Sequence, residues 1–387
     1  MVILIFRSRN KIGSLKLASL RLKLLSTQSK VLSLLISMRC PAAAEGIYGG
    51  RLCRVAVVGA GVIGLSTAVC IAESIPSCAV TVLAEHFTPD TTSDVAAGIL
   101  LPHPFPETPL HKQRCWFKDT FDHLLSICNS TDAAEAGVFL LSGWQVFQET
   151  PSTKDPYWST VVLGFHMMTD AELQRFPKYK FGQSFTTIKC ECSKYLLWLE
   201  KRLKNAGGQL HTEKITGFEQ LTSSYDIIVN CSGLGSRDLA DDQSLYPVRG
   251  QILRVHAPWL KHFIRDGNGH TYIFPGIHSV TLGGTRQKHN WEMSVDEADS
   301  SGIFERCCEL EPSLKKSQVC SKLVGLRPTR NSLRLEREFF VHGNRQVPII
   351  HNYGHGGGGI SIHWGTALEA TQLVKESINW RNPTSKL

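Results

Sequence analysis

Three glycines near the start of the readable chain, Gly59, Gly61 and Gly64, stand at the spacing G-x-G-x-x-G, and four more, Gly356 to Gly359, run consecutively near its end. Glycine has no Cβ and tolerates positive φ, so such clusters mark a tight turn or a place where something approaches the backbone closely. The first cluster follows the β-branched run Val55 to Val58 and opens an apolar segment with helical spacing, with Val62 and Ile63 inside the motif. In that setting each glycine has a task. Gly59 makes the turn, Gly61 lets a pyrophosphate lie on the backbone, and Gly64 lets the helix pack on the strand while its N-terminus faces the anion. A second strand, "AVTVL", leads to Glu85, about 20 residues past the motif, where the ribose partner of a dinucleotide belongs. These residues predict a bound dinucleotide.

The elements that position them separate two kinds of dinucleotide. A nicotinamide cofactor is usually completed within one contiguous Rossmann half. Here "YDIIVNCSGLGSRDL" supplies a further strand, Ile227 to Val229, running into Gly233 and Gly235, and the Gly356 run adds a third glycine-rich approach from the far end of the chain. A flavin lying across the molecule needs backbone from both ends. In "CSKYLLWLEKRLKNAGG", Tyr195, Trp198, Leu199 and Leu203 repeat at helical spacing and Gly207-Gly208 provides the stop, which reads as a core-facing helix. Alternation around "PVRGQILRVHAPW" and "SVTLGGTRQ" predicts strands of a mainly antiparallel sheet.

The net charge of +8 is concentrated at one end, because residues 1–50 hold eight Lys and Arg against Glu45 alone. That segment reads as a mitochondrial-type presequence, or as an extension upstream of another start such as Met38. The run "VLSLLISM" within it is too short to span a bilayer. The remainder is near neutral and shows no basic stripe with interleaved aromatics, so neither a nucleic-acid partner nor a membrane span is expected. The twelve cysteines include Cys190-Glu-Cys192 and Cys307-Cys308 but no C-x-x-C, and no zinc-type spacing. They are expected to be reduced thiols of an intracellular protein, with no metal. The chain ends Ser385-Lys386-Leu387, a tripeptide that a peroxisomal import receptor reads at a free C-terminus.

Taken together, "VAVVGAGVIGLSTAVCI", "FTPDTTSDVAAG", "VNCSGLGSR", "PVRGQ", "TYIFPG", "TLGGTRQ", "GLRP" and "HNYGHGGGGISIHWGTALEA" resemble the D-amino-acid oxidase family, in family order from about residue 53 to the C-terminus. The resemblance implies FAD as cofactor. Gly356, Ile360 and Ser361 would face the flavin ring through backbone and hydroxyl groups, at the positive end of a C-terminal helix. Glu85 and His86 would hold the adenosine ribose region, and Thr92 and Ser93 would meet phosphate or flavin. Two plainer readings stay open: Thr92 and Ser93 as a helix cap, and His86 as an exposed loop residue.

The same resemblance implies that Arg327 clamps the substrate α-carboxylate, with Tyr272 adding a hydroxyl, a task suited to a planar guanidinium fork. Arg286 stands where the acidic-substrate branch of the family has arginine and the neutral-substrate branch an apolar residue. Arg265 either lines the entrance or pairs with Asp266 on the surface, and His103 is a pocket or a loop histidine. Gly357 departs from a serine found in some acidic-substrate members. The implied fold is α/β: a Rossmann-like FAD domain from segments 51–100, 185–240 and 325–387, and a substrate domain with a mixed, mainly antiparallel sheet from 101–184 and 241–324. The implied reaction is oxidation of a small acidic D-amino acid by dioxygen, giving 2-oxo acid, ammonia and hydrogen peroxide. An oxidase of neutral D-amino acids or glycine, and a flavin-binding protein without turnover, remain as alternatives.

Overall fold

In the computed structural model the described residues are 52–381; the basic N-terminal segment and the Ser385-Lys386-Leu387 tripeptide lie outside them. The fold starts from β1 (Cys53–Val58), whose last four residues are buried. Its parallel neighbours are β2 (Cys78–Ala84) on one side and, later in the chain, a strand at Ile227–Asn230 on the other. Strands buried on both faces read as unbroken apolar runs rather than alternating ones, which is why this layer is conspicuous in the sequence.

The remaining strands, in chain order, are β3 (Val138–Phe147), β4 (Leu163–Met167), β5 (Phe181–Cys190), β6 (Gln209–Thr212), β7 (Ile227–Asn230), β8 (Tyr246–His256), β9 (Phe263–Asp266), β10 (Tyr272–Pro275), β11 (Val280–Gly283), β12 (Gln287–Lys288), β13 (Gln318–His342) and β14 (Arg345–His355). Among the described residues they form one sheet in the order β4-β5-β3-β9-β10-β11-β8-β13-β14-β7-β1-β2-β6, with β12 pairing β8. From β14 to β6 every pairing is parallel. From β14 back through β13, β8, β11, β10 and β9 every pairing is antiparallel. The architecture is therefore α/β with a mixed sheet, parallel at one end and mainly antiparallel at the other.

β14 joins the two regimes, antiparallel to β13 and parallel to β7, and β13 is the long strand beside it. The first part of β13 pairs with β8, and after an irregularity between Thr329 and Arg334 its second part pairs with β14. The boundaries expected at 185 and 325 fall inside β5 and β13. Helices Val62–Ser74 and Gly359–Arg381 pack against each other, and helix Leu110–Cys128 packs on the second of them. Helix Cys192–Asn205 buries Tyr195, Trp198, Leu199 and Leu203, and the chain leaves it through Gly207 at φ 84°, as its spacing predicts. β8 and β11 are antiparallel strands, as their alternation predicts, and nearly every residue of both is buried. Helix Glu297–Leu310 packs on both, while Val248, Gly250 and Ile252 turn toward a cavity on the other face.

Among the described residues no helix is long and apolar enough to cross a membrane, and no group of His, Cys, Asp and Glu is arranged to hold a metal ion.

Candidate active site

A cavity of about 950 Å³ opens at the C-terminal ends of β1 and β7, the position where parallel α/β sheets bind their ligands. Every residue assigned from the sequence to the cofactor or the substrate lines it except Gly64. Gly64 serves packing instead: a Cβ there would lie 1.9 Å from the Gly59 carbonyl oxygen. Gly59 has φ 110°, and a Cβ on it would come within 2.4 Å of the Cys231 carbonyl oxygen, where β7 ends. The turn after β1 therefore passes hard against the exit of β7. That close packing leaves a shallow backbone cradle which side chains would fill.

Ser93 reaches this cradle from outside. Its Oγ accepts from the Val62 N–H at 3.0 Å, at the N-terminus of helix Val62–Ser74, and lies 3.1 Å from where a Gly61 Cβ would be. Thr92 and Ser93 open the short helix Thr92–Val95, but its N-cap is Thr91. The Thr91 N–H and hydroxyl both donate to the Asp94 carboxylate. Ser93 is thus left to face the helix N-terminus, a site suited to a phosphate. Glu85, at the end of β2, is exposed and 3.1 Å from Lys214 Nζ, and the exposed His86 lies 3.9 Å from Glu85.

The glycine run forms a single turn, Gly356–Gly358, leading into helix Gly359–Arg381. Gly356 has φ 51°, a left-handed value that suits glycine. Ile360 and Ser361 follow in the first helical turn, which carries the positive end of the helix dipole. The Ser361 hydroxyl is engaged by Leu101, donating to its carbonyl at 2.7 Å and accepting from its N–H at 3.1 Å. It retains one acceptor lone pair, so at Ser361 the backbone is the group better placed to meet a ring.

The substrate end is built around arginines, and glycines make room for them. The Arg327 guanidinium lies flat against Gly250 of β8, where a Cβ would be 2.3–2.4 Å from three of its atoms, and Nη1 donates to the Thr285 carbonyl at 3.1 Å. Arg265 and Arg286 converge on Gly269, where a Cβ would lie 2.5 Å from one Nη2 and 2.7 Å from the other. Arg265 faces the cavity, whereas the Asp266 carboxylate accepts from the Asn268 N–H at 3.2 Å. No ion pair joins Arg265 to Asp266 among the described residues. Tyr272 stacks on Phe274 with centroids 4.5 Å apart, and its hydroxyl lies over Gly283 and Gly284.

Electrostatics follow from this crowding. Burial, then Arg286, pushes Arg265 down to about 10. Arg286 is exposed toward the cavity, yet the walls shield it enough that burial, and then Arg327, lower its pKa. His103 is pushed down to about 4 by burial and then by Arg286, Arg327 and Arg265, so its imidazole is neutral at neutral pH. Burial raises Tyr272, with Arg327 opposing, and its hydroxyl keeps its proton as a donor. A Cβ on Gly357 would lie 3.5 Å from His103 Nδ1 and 3.6 Å from Arg327 Cδ, ordinary contact distances that would admit a small side chain. The whole arrangement presents several cations and neutral donors to one space, contiguous with the glycine cradle. It suits an anion with more than one carboxylate.

Sequence reasoning missed the glycines that shape this end. Gly250, inside a strand, carried the signal, since an interior glycine marks close approach. Gly269, at φ 72°, sits in a turn whose spatial neighbours are distant in sequence. Nothing local announced it.

The comparisons agree with this geometry. The family model described as DAO, FAD dependent oxidoreductase, matches residues 54–373. The chain is 58% identical to the D-aspartate oxidase of Homo sapiens over 334 residues, covering 86% of this chain and 98% of that protein. It is 37% identical to a D-amino acid oxidase of Dugesia ryukyuensis, covering 83% and 97% respectively. Among solved structures, glycine oxidase from Geobacillus kaustophilus superposes with a TM-score of 0.67 at 19% identity, covering 84% of this chain and 95% of that one, a likeness of fold. A cradle whose glycines leave room only for a ligand, opening onto a cluster of arginines, is what remains when these matches are set on the structure, and the chain belongs to the DAO family of FAD-dependent oxidoreductases.

Proposed function

We propose that this protein oxidatively deaminates acidic D-amino acids, D-aspartate and also D-glutamate, to the 2-oxo acid and ammonia, with dioxygen as final acceptor and hydrogen peroxide as by-product. The observation that carries the reading is the convergence of Arg265 and Arg286 on Gly269 beside Arg327 and Tyr272, in the cavity that also contains the glycine cradle. The identity to human D-aspartate oxidase supports it.

The residues present fit FAD. Gly59, Gly61 and Ser93 would hold its pyrophosphate, Glu85 and His86 the adenosine ribose region, and the first turn of helix Gly359–Arg381 the flavin ring. When bound, FAD supplies the two-electron acceptor. The chain's own residues bind and orient. Arg327 and Tyr272 hold the α-carboxylate, which fixes the direction of the Cα–H bond. Such positioning accounts for much of catalysis where the cofactor carries the chemistry. Arg286, with Arg265 and the neutral His103 donor, receives the side-chain carboxylate. A neutral amino acid would leave that charge unpaired, so the pocket selects against it.

The test is oxygen uptake and peroxide release by the purified yellow protein against a panel of D- and L-amino acids. D-aspartate and D-glutamate should lead the panel and their L-forms should be inert. Absence of oxygen uptake with every D-amino acid, in protein that retains FAD, would reduce the reading to flavin binding.

Where Ser385-Lys386-Leu387 is the free C-terminus, it serves as a peroxisomal address, in keeping with a peroxide-forming enzyme. An N-terminally tagged protein should coincide with catalase in cells and disperse on deletion of Leu387. Mitochondrial signal that survives this deletion and vanishes on removing residues 1–37 would transfer the address to the N-terminus.

A further inference from the structure

β1 and β2 run parallel and in register from their first residues, so Cys53 lies directly opposite Cys78. In-register partners share a face of the sheet, and neighbouring strands lie about 4.8 Å apart. Disulfides accept Cα separations of roughly 4.4–6.8 Å. The two side chains are hydrogen-bonded to each other, no disulfide joins them, and both are half-buried, within reach of a small oxidant. They lie at the end of β1 opposite Gly59, and neither lines the cavity. The other close pairs differ. Cys190 and Cys192 are buried, as are Cys307 and Cys308, and the Cys192 thiol donates to the Ala96 carbonyl.

We propose that Cys53 and Cys78 are a reversible redox pair which hydrogen peroxide closes to a disulfide. The dithiol chemistry stands on the strand register alone; only the source of peroxide rests on the oxidase reading. The hydrogen bond to Cys53, and then burial, hold the Cys78 pKa far above the usual thiol range, so Cys78 keeps its proton while the pair is reduced. The Cys53 thiolate attacks one peroxide oxygen; an S–O bond forms, the O–O bond breaks, and the departing hydroxide takes up a proton as water. The product is a sulfenic acid. Cys78 sulfur then attacks Cys53 sulfur; the S–S bond forms, the S–O bond breaks, and hydroxide leaves with the Cys78 proton as a second water. Two electrons pass from the dithiol to peroxide. The closed ring contains β1, the glycine turn and helix Val62–Ser74, the strand, turn and helix of the phosphate-binding unit. A cross-link around it limits the unfolded chain, so closure should raise the unfolding midpoint by roughly 3 °C.

The test is peptide mapping of the full-length holoprotein without reductant, after added hydrogen peroxide and, separately, after aerobic turnover of D-aspartate. A linked Cys53–Cys78 peptide, two hydrogens lighter than its parts, is expected in both arms. It should disappear on reduction and be absent from Cys53→Ser. Linkage by added peroxide but not by D-aspartate would support the pair and count against the oxidase reading. Recovery of Cys53 and Cys78 as alkylated thiols, or as separate sulfinic acids, after added peroxide would overturn the proposal.

Discussion

Single glycines divide the site into parts that fail differently. A Cβ on Gly64 meets backbone, the Gly59 carbonyl oxygen at 1.9 Å, and backbone cannot swing aside. Gly64→Ala should therefore yield protein that fails to retain FAD, measured as flavin absorbance after gel filtration. A Cβ on Gly250 meets the far end of a side chain, the Arg327 guanidinium, which can move. Gly250→Ala should keep FAD and its unfolding midpoint while kcat/KM falls about 100-fold on every substrate, because the α-carboxylate anchor is displaced by about 1 Å. Equal FAD loss in both variants would contradict this division. The turn at Gly59 and the packing at Gly64 were legible because their spacing is local. The roles of Gly250 and Gly269 were not, because the guanidiniums that need them come from β9, β13 and the segment after β11.

At the scale of elements, the first turn of helix Gly359–Arg381 is held by a buried chain of hydrogen bonds. His363 Nδ1–H donates to the Ile360 carbonyl at 2.8 Å, so its Nε2 accepts from the Tyr195 hydroxyl at 3.0 Å. His123 Nε2–H then donates to the same hydroxyl at 3.2 Å, with its ring stacked on Trp364. The pattern requires a neutral His363, because a protonated ring would turn its Nε2 from acceptor to donor. Burial accordingly pushes His363 from 6.5 down to about 4 and His123 to about 2. As pH falls below about 6.5 the unfolded chain takes up protons that the folded chain refuses, so stability declines with acidification. The sign is fixed: these histidines are fully accommodated above pH 6.5, and their contribution is lost progressively toward pH 4 and below. FAD release, followed by flavin fluorescence, should rise across that window, and Tyr195→Phe should shift the release to higher pH. Release independent of pH between 7 and 4 would show that the helix start is held by other contacts. Helical spacing identified Tyr195 as a core residue, correctly. That its hydroxyl joins two histidines from other helices required the tertiary structure.

For the whole molecule, the layout is two sheet regimes sharing β14, with one cavity lying across the seam. The parallel regime was legible from apolar runs and glycines, since strands covered on both faces announce themselves in composition. The antiparallel regime was legible as strands but not in exposure, because β8 is covered by a helix on one face and borders the cavity on the other. The same seam sets the central claim, that Arg327 holds what all substrates share and Arg286 holds only what acidic substrates add. A charge-assisted hydrogen bond contributes roughly 1.5 to 3 kcal/mol. The kcat/KM for D-aspartate divided by that for D-alanine, measured in the parent and in Arg286→Ala, is the quantity that isolates it. The ratio should fall about 10- to 150-fold in Arg286→Ala, with D-alanine turnover unchanged or improved, whereas equal losses on both substrates would contradict the account.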